Sequence, residues 1–70
     1  MDYSIYSALK NKLEGDISVA KTNIEIYMTN TVGIGEHIDI VETVEKELDK
    51  LSAAEDKLET LINNFKTPDM

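Results

Sequence analysis

The chain has 70 residues, with fourteen acidic residues against seven lysines, no arginine and no cysteine, for a formal net charge of −7. That length holds one small domain, the missing cysteines exclude a disulfide scaffold and a thiolate zinc site, and the acidic balance argues against direct nucleic-acid binding. Hydrophobic residues make up 41% of the sequence and charged residues 30%, a folded rather than a disordered composition.

No apolar run approaches the roughly 20 residues that cross a bilayer. Met1-Asp2-Tyr3-Ser4 does not read as a signal peptide either. A cytoplasmic, membrane-free setting is the expectation.

In chain order, the first apolar stripe is Tyr6, Leu9, Leu13, Ile17, Ala20, Ile24 and Met28. Its mean spacing of about 3.7 residues fits a nearly straight helix, which the pattern places over residues 3–30. Asp2 or Ser4 can cap its start by accepting a free backbone N–H. Gly15 interrupts it at a cost of about 1 kcal/mol relative to alanine, so it marks a kink or a close backbone approach.

Thr31-Val32-Gly33-Ile34-Gly35 divides the chain. Glycine tolerates the backbone angles of a tight reversal, which puts a turn at about residues 31–36. A phosphate loop would need a following lysine and Ser/Thr and a preceding strand, and neither is present.

From Val41 onward the apolar residues keep a heptad. Val44, Leu51, Leu58 and Phe65 fill one seam position, and Val41, Leu48, Glu55 and Ile62 the other. This spacing of 3.5 residues predicts a second helix over residues 37–65, followed by a short C-terminal tail. Glu36 and Asp39 then lie where the helix dipole favours negative charge. Glu55 is the one charged seam residue: it either pairs with Lys12 and fixes register or gives its place to Ala54 and reaches solvent. A rival reading makes residues 23–28 and 37–41 a β-hairpin, because both segments alternate polar and apolar residues and are rich in β-branched side chains. An isolated two-stranded hairpin is only marginally stable, so the helical reading is preferred.

The expected fold class is therefore all-α: an antiparallel two-helix hairpin, folded about residues 33–34. This register sets Leu58 near Leu9, Leu51 near Ile17, Leu48 near Ala20, Val44 near Ile24 and Glu55 near Lys12. A lone hairpin covers only one side of each helix, and chains this short rarely offset their ordering cost without a staple. Tyr3, Ile5, Val19, Ile26, Tyr27, Ile40 and Leu61 lie beside the main stripes and supply a second face. A homodimer forming a four-helix bundle follows. Its interface is expected at Tyr6, Leu9, Leu13, Ile17, Tyr27, Val44, Leu48, Leu51, Leu58, Ile62 and Phe65.

No catalytic, cofactor-binding or metal residue is assigned. His37 with Asp39 and Glu42 is the nearest approach to a metal site, but a single histidine outside any His-x-x-x-His or Glu-x-x-His spacing reads more simply as part of a helix start. With no cysteine and one histidine, nucleophilic and acid–base catalysis lack a constellation. Residues 32–65 hold nine acids against three lysines. That imbalance makes either a solvated helix surface, with Glu42 and Lys46 paired at i,i+4, or an acidic face for a basic partner.

Val32-Gly33-Ile34-Gly35-Glu36-His37, Ala54-Glu55-Asp56-Lys57-Leu58-Glu59 and Leu13-Glu14-Gly15-Asp16-Ile17 together resemble short acidic proteins of T4-like marine phages. The resemblance implies action in the cytoplasm of an infected bacterium and carries no catalytic residue. The expected function is that of a non-enzymatic helical protein that self-associates and works by protein–protein interaction. The alternatives are an acidic nucleic-acid mimic that inhibits a basic host protein and, last, a metal-dependent site around His37.

Overall fold

The computed structural model describes residues 4–29 and 39–65. Helix α1 spans Ser4–Thr29 and helix α2 spans Ile40–Phe65, 26 residues each. Each is about 39 Å long at 1.5 Å per residue. They pack side by side and antiparallel, with Leu9 and Leu13 beside Leu61 and Phe65 at one end and Asn23 against Glu47 farther along. The result is a rod of 53 × 15 × 15 Å with a radius of gyration of 16.0 Å, where a compact chain of this length has about 11 Å.

Residues 23–28 lie inside α1, and Ile40 and Val41 open α2. The β-hairpin reading is thus overturned, and no strand occurs among the described residues. Packing decided it: alternation in a short segment is weak beside an apolar stripe that runs the full helix. The expected turn at residues 31–36 lies outside the described residues, as does His37.

Helix α2 begins at Ile40 rather than at residue 37, for a local reason. The backbone N–H of Glu42 donates to Asp39 Oδ1 at 2.9 Å, and the Thr43 N–H donates to the Asp39 carbonyl at 3.0 Å. Asp39 is therefore the N-cap. Glu42 stands three residues on, in the sequence position of a capping box, and also adds negative charge to the first turn.

Both helices turn heptad stripes toward each other. On α1 the half-buried or buried positions include Tyr6, Lys10, Leu13, Ile17, Ala20, Ile24 and Tyr27, recurring by alternating steps of four and three. On α2 they include Ile40, Val44, Glu47, Leu51, Ala54, Leu58 and Leu61. A strict 3.5-residue repeat on both partners is the packing pattern of a left-handed coiled coil.

The α1 stripe departs from the expected one at two places. Lys10 replaces Leu9 and Tyr27 replaces Met28, which leaves Met28 68% exposed. Lysine can line an apolar seam with its methylene stem while its ammonium reaches outward, here to Glu14 at 3.4 Å.

On α2 the Val44, Leu51 and Leu58 positions hold, but the other half of the seam moves by one residue. Ile40, Glu47, Ala54 and Leu61 replace Val41, Leu48, Glu55 and Ile62 as its centre. Ala54 is buried and Glu55 exposed, and Lys12 pairs with Asp16 at 2.8 Å rather than with Glu55. Register moves as well. Asn23 meets Glu47, whereas the expected register sets it opposite Val44. Ala20 lines a groove with Ala53 and Ala54 instead of meeting Leu48.

Among the described residues only Leu13, Ala20 and Ala54 are buried, so the folded state rests on a thin core. Gly15 has open space where a Cβ would stand, and α1 runs through it unbroken, so the expected close approach is absent within the hairpin. Gly15→Ala is expected to raise stability by about 0.5–1 kcal/mol. Asp39→Ala is expected to lower it by about 1 kcal/mol through loss of the cap. Thermal unfolding followed by circular dichroism checks both shifts.

Candidate functional site

The chemistry-bearing groups that the fold brings together are few. Asn23 Nδ2 donates to Glu47 Oε1 at 2.9 Å, and Lys50 Nζ donates to Glu47 Oε2 at 2.9 Å. Glu47 thus has each carboxylate oxygen engaged. It keeps only 13% of its side-chain surface exposed, against 70% for Lys50. The hydrogen bond from Asn23 and then that from Lys50 hold its pKa below the usual carboxylate value, burial opposes them, and the Lys50 charge adds to the lowering. Hydrogen bonds to the ionised form favour that form.

Around this pair runs a groove of about 400 Å³ between the helices. Val19, Ala20, Ala53 and Ala54 supply its apolar lining, with Asp16, Lys50 and Lys57 among its charged residues. A second hollow of about 450 Å³ lies nearer the N-terminal end of α1, lined mainly by Leu9, Leu13, Leu61 and Phe65. Lys57 belongs to both. Among the described residues neither hollow is lined by a histidine.

Asp39 and Glu42, two of the three residues weighed for a metal site, are committed elsewhere. The Asp39 carboxylate caps α2, and the Glu42 carboxylate pairs with Lys46 at 3.4 Å, the i,i+4 pair expected from the sequence. Among the described residues no group of three carboxylate or imidazole side chains stands close enough to hold a metal ion. No helix there is long and apolar enough to cross a membrane.

The residues expected at an oligomer interface divide in two. Leu13 is buried within the hairpin, and Tyr6, Ile17, Tyr27, Val44, Leu51, Leu58 and Ile62 are half-buried. Leu9, Leu48 and Phe65 are exposed, together with Ile5, Val19, Ile26, Met28 and Val41. The exposed apolar surface continues along the flanks of both helices.

The Asn23–Glu47 contact was missed by the sequence reading because the frame starting at Val41 leaves Glu47 off the seam. The frame starting at Ile40 fills the seam equally well and also contains a single charge. A hydrogen-bonding partner at the matching level of α1, which Asn23 provides, is the signal that separates the two frames.

Comparison with protein-family models, with curated proteins and with solved structures finds no match for the chain.

Because the native pKa of Glu47 lies below its unfolded value, the interaction stabilises the fold above about pH 4.3, the ordinary glutamate value. That contribution is lost as pH falls through the native pKa. Glu47→Gln is expected to narrow the stability gap to wild type as the solution is acidified below that point. Urea unfolding of both chains from neutral to acidic pH measures the difference, which separates Glu47 from the other carboxylates.

Proposed function

We propose that the chain is a non-enzymatic helical-hairpin protein that self-associates, two hairpins forming a four-helix bundle, and that it acts by binding another protein. The observation that carries this reading is the exposed aliphatic surface. Ile5 is 82% exposed and Val41 80%, on a hairpin with three buried hydrophobic residues among those described. Single exposed aliphatics are ordinary, but several along the same helices mark a surface that associates. A second hairpin covers what one neighbour leaves wet, and two-fold pairing is the commonest assembly.

Five carboxylates of α2 favour a second reading. Glu45, Asp49, Glu55, Asp56 and Glu59 are exposed, and none pairs with a lysine among the described residues. As fixed negative charges along one rod they suit a basic protein surface, as a nucleic-acid mimic does. The resemblance to phage proteins fits this reading, with the cytoplasm of an infected bacterium as its setting. It expects capture of a basic DNA-binding protein in competition with DNA, weakening steeply as salt rises. Binding indifferent to salt would count against it.

Size-exclusion chromatography with light scattering tests the leading reading. The expected mass is twice that of the 7.9 kDa chain, and a stably folded monomer overturns it.

A further inference from the structure

Beside its seam, α1 carries a second stripe displaced by one residue. Ile5, Leu9, Val19 and Ile26 are its apolar members, with Lys12, Asp16 and Asn23 between them. The steps again alternate four and three. Successive residues of an α-helix are turned by about 100°, so this stripe faces nearly at right angles to the direction of α2. Neighbours of one helix in a four-helix bundle lie at such a corner.

Its four aliphatic residues are 82%, 41%, 61% and 51% exposed in chain order. Both hollows border this flank, through Asp16, Val19 and Asn23 in one and Leu9 in the other.

Local charge separates the two flanks. Helix α1 carries three acids and three lysines over Ser4–Thr29, whereas α2 carries seven acids and three lysines over Ile40–Phe65. On the stripe itself Lys12 and Asp16 cancel. The other apolar flank, with Val41 and Leu48, also holds Glu45, Glu55 and Glu59 on α2.

We propose that the α1 flank carrying Ile5, Leu9, Val19 and Ile26 is the surface on which a second copy packs, with the two α1 helices antiparallel across the two-fold axis. This rests on the self-association proposed above and names its surface. Six of the seven stripe positions, all but Ile26, are symmetric about residue 14. Antiparallel pairing there sets Leu9 of each copy beside Val19 of the other, apolar against apolar, and Lys12 beside Asp16, cation against anion, while Ile5 meets Asn23. An isologous contact requires such a self-complementary pattern.

The test compares the two flanks. A lysine at a buried interface position leaves its charge desolvated. Val19→Lys is therefore expected to weaken dimerisation by about 100-fold or more, read by light scattering across a dilution series. Leu48→Lys, on the opposite flank, is expected to leave it within a few-fold. Because Val19→Lys can also unfold a thin hairpin, a second measurement uses the lack of native cysteine. In the Leu9→Cys/Val19→Cys double variant the two thiols lie about 15 Å apart along one helix, too far to bridge within a chain. Mild oxidation is expected to give a covalent dimer far faster than in Val41→Cys/Leu48→Cys. Dissociation by Leu48→Lys alone, or faster cross-linking of the Val41/Leu48 pair, overturns the assignment of the flank while self-association stands. A wild-type chain that stays monomeric overturns both.

Discussion

One helix can shield only one side of another, and most of this structure follows from that constraint. Two rods of 26 residues bury a single seam between them, and the hydrophobic stabilisation available is limited to that strip. Among the described residues, Leu13, Ala20 and Ala54 are the buried hydrophobic ones, each at 5% exposure or less. A chain of this size sits near the margin where burial and ordering entropy cancel. Local devices such as the Asp39 cap and the i,i+3 and i,i+4 ion pairs therefore carry more relative weight than they would in a larger domain. Each exposed pair is worth only a few tenths of a kcal/mol.

Within the seam, size and polarity are arranged by level. Ala20, Ala53 and Ala54 gather along one groove, while Leu13 and Leu61 line the hollow toward one end. Glu47 is the exception in an otherwise mostly apolar stripe. A seam carboxylate is tolerable only when its oxygens are satisfied, and Asn23 and Lys50 satisfy one each. The pair also favours one register, since sliding either helix by a turn would leave a partly buried carboxylate without its amide.

The electrostatic asymmetry between the helices is as informative as the apolar pattern. Excess carboxylates stand on α2, and α1 is balanced. For a rod whose flanks both expose aliphatic side chains, charge rather than hydrophobicity then ranks the surfaces on which a like molecule can settle.

The heptad of α2 and the apolar stripe of α1 made two helices and their antiparallel pairing legible in the sequence. Asp39 was legible as a helix-start residue, and Val44, Leu51 and Leu58 as seam residues. The sequence did not reveal which neighbour of each seam residue turns inward. Val41 or Ile40, Leu48 or Glu47, Glu55 or Ala54 differ by one step of about 100°, and either choice keeps the 3.5-residue spacing. Tertiary packing chose the frame in which Ala54 is buried with Ala20 and Glu47 finds Asn23. Periodicity along one helix records that a side is apolar, but only the partner helix, with its own volumes and hydrogen-bonding groups at each level, decides how far that side is rotated and where along the axis it docks.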